Sequence, residues 1–441
     1  NRIINGRRDE KEYRSILTVA PVDFPALYAR VEEVQNDISL HREAALATIL
    51  PLILVAEVLA QQYDVVVTNP PYMGSSNMDA RLSEFVKKHY PDSKSDLFAV
   101  FIERCGQMTG KNRYQAMITQ HAWMFLSSFE KLRAKLLLKD TVNMAHLGPR
   151  AFEEIGGEVV QTTSFVLRNN HIPDYKGTYC RLIEPTTHQG KEELLLAGEC
   201  RCTAQQSSSS KIPGWPVAYW VSINVLSAYK YNLLSDYGKA QKGLDTCDVN
   251  RFVRNWYEVI SKKIGFEANS CEETYSHKWF PYSKGGEYRK WYGNLWDVFL
   301  WENNGEILRN LKDSSGKLKS RPQNISDYFK PMITWSAISS SKTSMRYIVN
   351  SIYGGGGTAY LPNGNIFYFL AFLNSNVAET FLRVVSPTLN YEAGHIMSLP
   401  LLYNDSKADS ISEITQVSIR ASKFDWDSYE TSWDFQRHPL V

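Results

Sequence analysis

What this sequence lacks excludes several common protein classes. Its six cysteines form no CxxC pair, and no nearby histidine pair completes Cys200 and Cys202 into a zinc site. Its longest apolar run, residues 44–60, is interrupted by Pro51 and Glu57 and falls short of a bilayer span. Scattered thiols in a large chain are typical of a reducing compartment. We therefore expect a cytoplasmic protein that binds no metal and enters no membrane.

A large excess of charge is also absent. The 49 Lys and Arg residues nearly balance the 47 Asp and Glu residues, which leaves a formal net charge of +2. This balance does not exclude a nucleic-acid partner, because basic residues can gather on one face. With 441 residues, of which 43% are hydrophobic and 22% charged, the chain has the composition of a folded protein of two or three domains.

The first part of the chain has the pattern of an α/β domain. Residues 63–68 are a short β-branched run that ends at Asn-Pro-Pro, which predicts a buried parallel strand that stops there. The other predicted elements are helices 41–62, 78–89, 96–108 and 127–139 and strands 114–119, 142–147 and 159–168. This order predicts a mostly parallel sheet finished by a hairpin, the second half of a doubly wound domain.

The composition changes after residue 169. Eight of the eleven tryptophans lie between Trp215 and Trp335, in a region of short strands and turns. The serine stretch 207–210 is typical of a linker or loop, the glycine stretch 354–357 predicts a loop, and residues 367–384 predict a helix. We therefore divide the chain into an α/β domain (1–170), an α+β domain (171–400) and the start of a helical region (401–441).

The tetrapeptide Asn69-Pro70-Pro71-Tyr72 carries the clearest chemistry. The adenine N6 amino group is a poor nucleophile, because its lone pair is delocalised into the ring. Two fixed acceptors can hold this group so that the lone pair is free to attack. Asn69 can supply a side-chain carbonyl and Pro70 a backbone carbonyl, and the two prolines stiffen the loop. Tyr72 offers an aromatic face for an extruded base, a contact worth roughly 1–3 kcal/mol.

An isolated Asn-Pro-Pro is more often a turn than a catalytic loop. Here it follows the carboxyl end of a predicted strand. Open α/β sheets bind their ligands at that edge. The position therefore favours the catalytic interpretation.

The residues around this loop resemble a known family. Residues 65–72, Val-Val-Val-Thr-Asn-Pro-Pro-Tyr, resemble the catalytic motif of amino-group DNA methyltransferases. Residues 73–78 and 90–98 are closer still to the PglX family of adenine-specific methyltransferases from BREX phage-defence systems, and the likeness continues to residues 425–435. It implies a class I, Rossmann-like methyltransferase sheet, S-adenosyl-L-methionine as methyl donor, and double-stranded DNA with a flipped adenine as substrate. Other phage-defence proteins are the further partners that it implies.

The resemblance also implies roles for residues outside the tetrapeptide. Asp96 and Phe98 match the next motif of the family, which lines the adenosine pocket of the cofactor. Asp96 is equally suited to cap a helix. His121 matches a strand-end motif near the target base, although we favour a packing role for it.

The second half of the chain resembles the target recognition domains of single-chain restriction–modification methyltransferases. The likeness is carried by residues 242–244, 250–256, 333–336 and 389–396. Core packing is the favoured role for any single tryptophan there. The candidate DNA contacts are Lys242, Arg251, Arg254 and Trp256.

One part of a complete methyltransferase is missing. Such an enzyme needs a glycine-rich turn to approach the methionine part of the cofactor, and none precedes Asn69. The resemblance puts that motif upstream, and the sequence starts at Asn1 without a methionine. We therefore expect a fragment that is inactive alone and binds the cofactor weakly. No Asp…Glu-x-Lys nuclease pattern is present either.

Two other functions are compatible with these residues. Asn-Pro-Pro-Tyr also serves methyltransferases that act on glutamine amides of proteins, which need the same pair of acceptors. The long region rich in Trp, Tyr and Arg after the α/β domain favours DNA over a protein substrate. A DNA-recognition module without activity is the third alternative, and replacement of Asn69 separates it from an enzyme.

Overall fold

The computed structural model describes residues 22–36, 41–152, 160–320, 322–338, 342–386 and 390–441. The predicted strand start at residue 159 and residue 389 lie outside them. The chain divides into two compact units, one up to Met124 with Ser128–Ser207, the other Phe125–Ser127 with Ser208–Val441. The division thus falls in the serine stretch 207–210, and the boundary predicted at residue 170 lies inside the first unit.

Among the described residues that precede the sheet of the first unit, two segments are helical. Helix α1 spans Phe24–Gln35, and helix α2 spans Arg42–Ala60, close to the predicted 41–62. The hydroxyl of Tyr28 on α1 donates a hydrogen bond to Glu57 on α2 over 2.6 Å. Because α2 spans Arg42–Ala60 without a break, Pro51 and Glu57 lie within one continuous helix.

Helix α2 is continuous, strongly apolar and largely exposed. By length and composition, it is the one helix among the described residues that could cross a membrane, and 11% of its apolar stretch is buried. The expectation that this run is too short for a span is therefore wrong, because Pro51 does not interrupt the helix. Length and composition alone do not distinguish such a helix from one that packs inside a larger fold.

A six-stranded sheet is the centre of the first unit. Its order is β1-β2-β4-β3-β5-β6. The strands are β1 (Tyr63–Thr68), β2 (Thr109–Gln120), β3 (Asp140–Gly148), β4 (Thr162–Arg168), β5 (Lys176–Arg181) and β6 (Arg201–Gln205). Because β5 and β6 extend this sheet, the first unit continues well past residue 170.

The sheet is mixed, and four of its six strands (β1, β2, β3 and β5) run in one direction, as expected for a mostly parallel sheet finished by a hairpin. β1 is parallel to β2 and β3 is parallel to β5, whereas the other three neighbouring pairs are antiparallel. The physical reason is the position of β4, which returns between β2 and β3 and runs opposite to both. The predicted hairpin of β3 and β4 is present.

Strand β1 is also less buried than predicted. It lies at the edge of the sheet and pairs with β2. Val65 is 56% exposed and Val67 71% exposed. A run of β-branched residues is typical of a strand covered on both faces, but it does not specify which residues supply the cover.

Four helices accompany the sheet: α3 (Ala80–His89), α4 (Leu97–Met108), α5 (Glu130–Leu136) and α6 (His188–Ala197). α5 is shorter than the predicted 127–139, because Ser127–Phe129 form a separate 3-10 turn. The most deeply buried core side chains of this unit are at most 3% exposed. They include Phe98, Ile102, Met117, Leu132 and Phe165.

The second unit contains two small sheets of short strands, as its composition predicted. Their orders are β13-β9-β10-β8 and β12-β11-β14-β7. The strands are β7 (Gly238–Gln241), β8 (Val253–Asn255), β9 (Trp279–Ser283), β10 (Asp297–Leu300), β11 (Met332–Thr334), β12 (Arg346–Ile348), β13 (Ile352–Tyr353) and β14 (Ala359–Pro362). The glycine stretch 354–357 joins β13 to β14 as a loop. A Cβ atom at Gly357 would lie 2.5 Å from the Ser283 carbonyl oxygen, so this close approach requires glycine.

The helices of the second unit pack around these sheets. They are α7 (Ile223–Ala228), α8 (Val249–Phe252), α9 (Glu302–Arg309), α10 (Ile366–Leu373), α11 (Asn376–Val385), α12 (Ala393–Met397) and α13 (Asp405–Asp427). The helix predicted at 367–384 is two helices, because Ser375 caps α11 through the N–H of Ala378. Trp301 and Trp335 are fully buried in separate cores, which agrees with the packing role favoured for single tryptophans.

Candidate active site

The Asn69–Tyr72 loop directly follows β1, at its carboxyl end. Thr68 is paired with Met117 in the parallel strand β2, so both strands point toward the same edge of the sheet. Asn69 and Pro71 are exposed, Pro70 is buried and Tyr72 is half-buried. The structure therefore anchors the loop at its second residue and presents its first to the outside.

Both acceptor oxygens of the loop are available. Within the described ranges, no residue donates a hydrogen bond to the side-chain carbonyl of Asn69 or to the backbone carbonyl of Pro70. A turn whose function is purely structural normally uses such groups internally. Both oxygens therefore keep their capacity to accept a hydrogen bond, the Asn69 oxygen on an exposed residue and the Pro70 oxygen on a buried one.

The Tyr72 ring is held from beneath by Phe98. The two ring centroids are 6.1 Å apart, and the rings meet edge to face at 83°. The Tyr72 hydroxyl is buried and has no hydrogen-bond partner in the described parts of the chain. Burial raises the pKa of this hydroxyl. The hydroxyl is therefore neutral at physiological pH, and the ring is an uncharged aromatic surface.

Asp96 ties the segment after the loop to the start of α4. Its Oδ1 accepts hydrogen bonds from the backbone N–H of Met73 over 3.0 Å and of Phe98 over 3.3 Å. The N–H of Leu97 in turn donates to the Met73 carbonyl over 3.0 Å. Burial raises the pKa of Asp96, although these backbone N–H groups act in the opposite direction. The helix-cap role that the sequence allowed is thus present, together with a contact to the loop that the sequence did not reveal.

Phe98 is a core residue rather than an open contact surface. It is 1% exposed and packs on Tyr72 and, at a centroid distance of 5.7 Å, on Phe129. Phe98 therefore offers little surface to a bound molecule, whereas Asp96 is half-buried. Of the two residues that the resemblance assigns to the cofactor pocket, Asp96 is the one that could contact a bound cofactor.

A buried histidine pair lies at the ends of β2 and β3. Nδ1 of His121 is 2.8 Å from Nε2 of His146, and both side chains are buried. Burial lowers the pKa of His121 to about 4, and burial followed by the nearby charges of His121, Arg181 and Lys191 lowers that of His146. Both rings are therefore neutral at physiological pH. The sequence singled out His121 alone, because nothing in the local pattern marks His146 as its partner.

The four predicted DNA contacts differ in whether their polar groups are hydrogen-bonded within the protein. Arg251 is exposed, and its guanidinium lies 5.2 Å from the centre of the Phe252 ring. Lys242 is exposed, with its ammonium 4.0 Å from a carboxylate oxygen of Glu392. These two cations keep most of their surface open to solvent.

Arg254 and Trp256 are bonded within the second unit. Arg254 donates from Nη1 to the carbonyl of Val253 over 2.7 Å and also to that of Asn250. The indole N–H of Trp256 donates to the Thr431 carbonyl over 3.0 Å. Both residues thus have structural partners that the sequence did not reveal.

Metal ligands and disulfides are the remaining features of the chain that could form a site. No group of three or more His, Cys, Asp or Glu side chains within the described ranges is arranged to hold a metal ion. All six cysteines are free thiols, of which Cys105 and Cys180 are buried.

The fold and the loop define the class of protein. Residues 24–147, which include α1, α2, β1 and the Asn69–Tyr72 loop, match the family of Eco57I restriction-modification methylases. A solved structure of the Type IIL restriction-modification enzyme MmeI in complex with DNA has a similar fold, with a TM-score of 0.55 and 12% identity. That likeness covers 86% of this chain and 53% of MmeI.

The particular relatives are adenine-specific methyltransferases. The chain is 42% identical over 402 residues to PglX of Lacticaseibacillus casei (strain Zhang), which covers 88% of this chain and 33% of PglX. It is 38% identical over 444 residues to BrxX of Escherichia coli O9:H4 (strain HS), which covers 98% of this chain and 35% of BrxX. The resemblance to the PglX family is thereby confirmed. The chain spans about a third of the length of these relatives.

Proposed function

We propose that this protein methylates the N6 amino group of adenine in double-stranded DNA, at a specific sequence. The observation that carries the proposal is the exposed Asn69 side chain beside the Pro70 carbonyl, with both acceptor oxygens free of partners in the described chain. The names of PglX and BrxX as adenine-specific methyltransferases support adenine as the target.

The role of the loop is to orient the target amine. The Asn69 side-chain oxygen accepts one amino hydrogen and the Pro70 carbonyl accepts the other, which directs the nitrogen lone pair away from the loop. S-adenosylmethionine, when bound, supplies the methyl group. The proton released from the amine passes to solvent. No metal and no strong general base is required for this arrangement.

Tyr72 is the stacking surface for the flipped base. Phe98 fixes the ring from beneath, so that little rotational freedom is lost when a base arrives. Stacking on an aromatic side chain is worth roughly 1–3 kcal/mol, comparable to the few kcal/mol needed to extrude a base.

Asp96 keeps the acceptors in place. Its carboxylate binds the N–H of Met73, the residue directly after Tyr72, and also caps α4. We assign it a positioning role in place of the direct cofactor contact that the family motif implies. The loop is thereby attached to a helix end at one side and to β1 at the other.

The second unit serves in this proposal as the target recognition domain, with Lys242, Arg251, Arg254 and Trp256 as its first candidate contacts. The residues from 401 onward, mainly helix α13, extend that domain. A DNA-modifying role and free thiols fit a cytoplasmic protein of a phage-defence system. Other defence proteins are the natural partners of such an enzyme.

The proposal is tested by replacing Asn69 in the full-length protein. Asn69→Ala should lower methyl transfer to DNA by at least about a hundredfold, comparable to the loss of one fixed polar group in other active sites, while DNA affinity is retained. The matched control is Asn77→Ala, an exposed asparagine in the 3-10 turn of the same segment. Unchanged methylation in Asn69→Ala would favour a recognition module, and methylation of a protein glutamine in place of DNA would favour a protein glutamine methyltransferase.

A further inference from the structure

A short hairpin in the second unit carries a concentration of positive charge. We call residues Leu311–Lys319 the basic hairpin. Lys312 forms an antiparallel bridge with Leu318, and the turn between them contains Gly316 with φ +81°. Residues 309–319 contain four basic residues and one acidic residue, Asp313. The basic residues are Arg309, Lys312, Lys317 and Lys319.

The one carboxylate of this segment is used by the turn itself. Asp313 Oδ1 accepts hydrogen bonds from the N–H of Ser315 over 2.8 Å, from its hydroxyl over 2.6 Å and from the N–H of Lys317 over 3.0 Å. These hydrogen bonds, that of the Ser315 side chain above all, lower the pKa of Asp313. Asp313 therefore stabilises the turn through its Oδ1 atom.

The cations, in contrast, are open to solvent. Arg309, Lys312, Lys317 and Lys319 are all exposed, and none of them forms an ion pair within 4.0 Å in the described chain. Residues 314–319 are exposed without interruption. The hairpin thus presents an excess of positive charge to solvent.

The base of the hairpin is rigid. Leu308 is fully buried and Leu311 packs against the same core. Lys319 closes the hairpin by donating its N–H to the Leu311 carbonyl over 2.8 Å. Ser320 is 3% exposed. The charge is therefore held on a fixed support, which reduces the entropy lost when a partner binds.

That base also contacts the segment that follows β7. The Ser320 hydroxyl donates to the Asp245 carbonyl over 2.6 Å, and the Asn324 amide donates to the Lys242 carbonyl over 2.8 Å. Lys242 is one of the DNA contacts predicted from the sequence. The segment after the basic hairpin is therefore hydrogen-bonded to the backbone of the segment that contains Lys242.

We propose that the basic hairpin binds the phosphate backbone of the DNA substrate. The proposal rests on the proposed function, which supplies the polyanionic partner. Lysines on a fixed hairpin suit phosphates because each is a compact point charge without a demand for one base geometry. The hairpin then adds affinity for DNA and helps to fix the position of the second unit along the duplex. It does not distinguish one base sequence from another.

The test is the salt dependence of DNA affinity. The triple variant K312Q/K317Q/K319Q of the full-length protein is compared with the unsubstituted full-length protein by fluorescence anisotropy, using two duplexes of unrelated sequence between about 50 and 200 mM salt. The slope of log K against log salt should become shallower by about 0.9 for each lysine that contacts a phosphate. The loss should be equal for both duplexes.

The matched control is K262Q/K263Q/K407Q, which removes the same charge from exposed lysines elsewhere in the second unit. It should keep most of the original slope, and thermal melting should show both variants folded. Lysines can also serve only to keep an exposed edge soluble. In that case the hairpin variant binds with the unchanged slope, which overturns the inference and leaves the proposed function intact. A loss confined to one duplex would mean base recognition and also overturn it, whereas an unsubstituted full-length protein that binds no DNA would overturn the DNA substrate itself.

Discussion

The Asn69–Tyr72 loop and the four predicted DNA contacts illustrate two different relations between sequence and site. In the loop, the two acceptor oxygens have no partner in the described chain and the aromatic ring is supported by Phe98. Among the DNA contacts, Arg254 and Trp256 are already bonded to backbone carbonyls, whereas Arg251 and Lys242 are exposed.

This difference follows from where the chemistry resides. A catalytic loop of this kind would place its acceptors on consecutive residues. Its geometry is then largely local, so a sequence of four residues is enough to propose it. A recognition surface is assembled from residues far apart in the sequence. Its free cations can therefore be distinguished from bonded ones only when the packing is known.

The largest expected effect that sharpens this comparison is at Tyr72. Tyr72→Ala should weaken binding of the flipped base by roughly 1–3 kcal/mol, the usual value of one stacked aromatic. Tyr72→Phe should keep near-normal activity, because the hydroxyl has no partner to lose. Fluorescence of 2-aminopurine at the target position measures the extrusion directly. Loss of activity in Tyr72→Phe would mean that methylation depends on the Tyr72 hydroxyl and not on the aromatic ring.

The sequence predicted local elements such as helix ranges and a helix cap, and it missed contacts between distant residues. Helices α2 and α4 lie close to their predicted ranges, because capping and hydrophobic periodicity act within a few residues. The pairing of β4 between β2 and β3 was missed, since it depends on contacts across many residues. The bond from Asp96 to Met73 spans 23 residues, so the cap could be predicted but the hold on the loop could not.

A smaller effect is expected at Asp96. Asp96→Ala and Asp79→Ala each remove the N-cap of a helix and should each cost about 0.5–2 kcal/mol of stability. Asp96→Ala alone should also lower kcat, by about tenfold with KM little changed, because only Asp96 holds the loop. Asp96→Asn keeps an acceptor oxygen and should restore most of the rate. Equal kcat values in the two Ala variants would reduce Asp96 to a helix cap.

The smallest effect separates the two predicted arginines of the recognition surface. Arg251→Gln should reduce the salt slope of DNA binding by about 0.9, as expected for one lost phosphate contact. Arg254→Gln should change the slope less, because that guanidinium is already bonded to the Val253 and Asn250 carbonyls. Anisotropy titrations of both variants provide the measurement. A larger change for Arg254 would show that its internal bonds open when DNA binds.

The central claim, that this loop directs a methyl group to adenine N6, is tested most directly by single-molecule sequencing of DNA from cells that express the full-length protein. The account predicts N6-methyladenine at one recurring sequence with Asn69 in place, and its absence with Asn69→Ala. Methylation of another base, or N6-methyladenine that persists in the Asn69→Ala cells at the same sites, would contradict it.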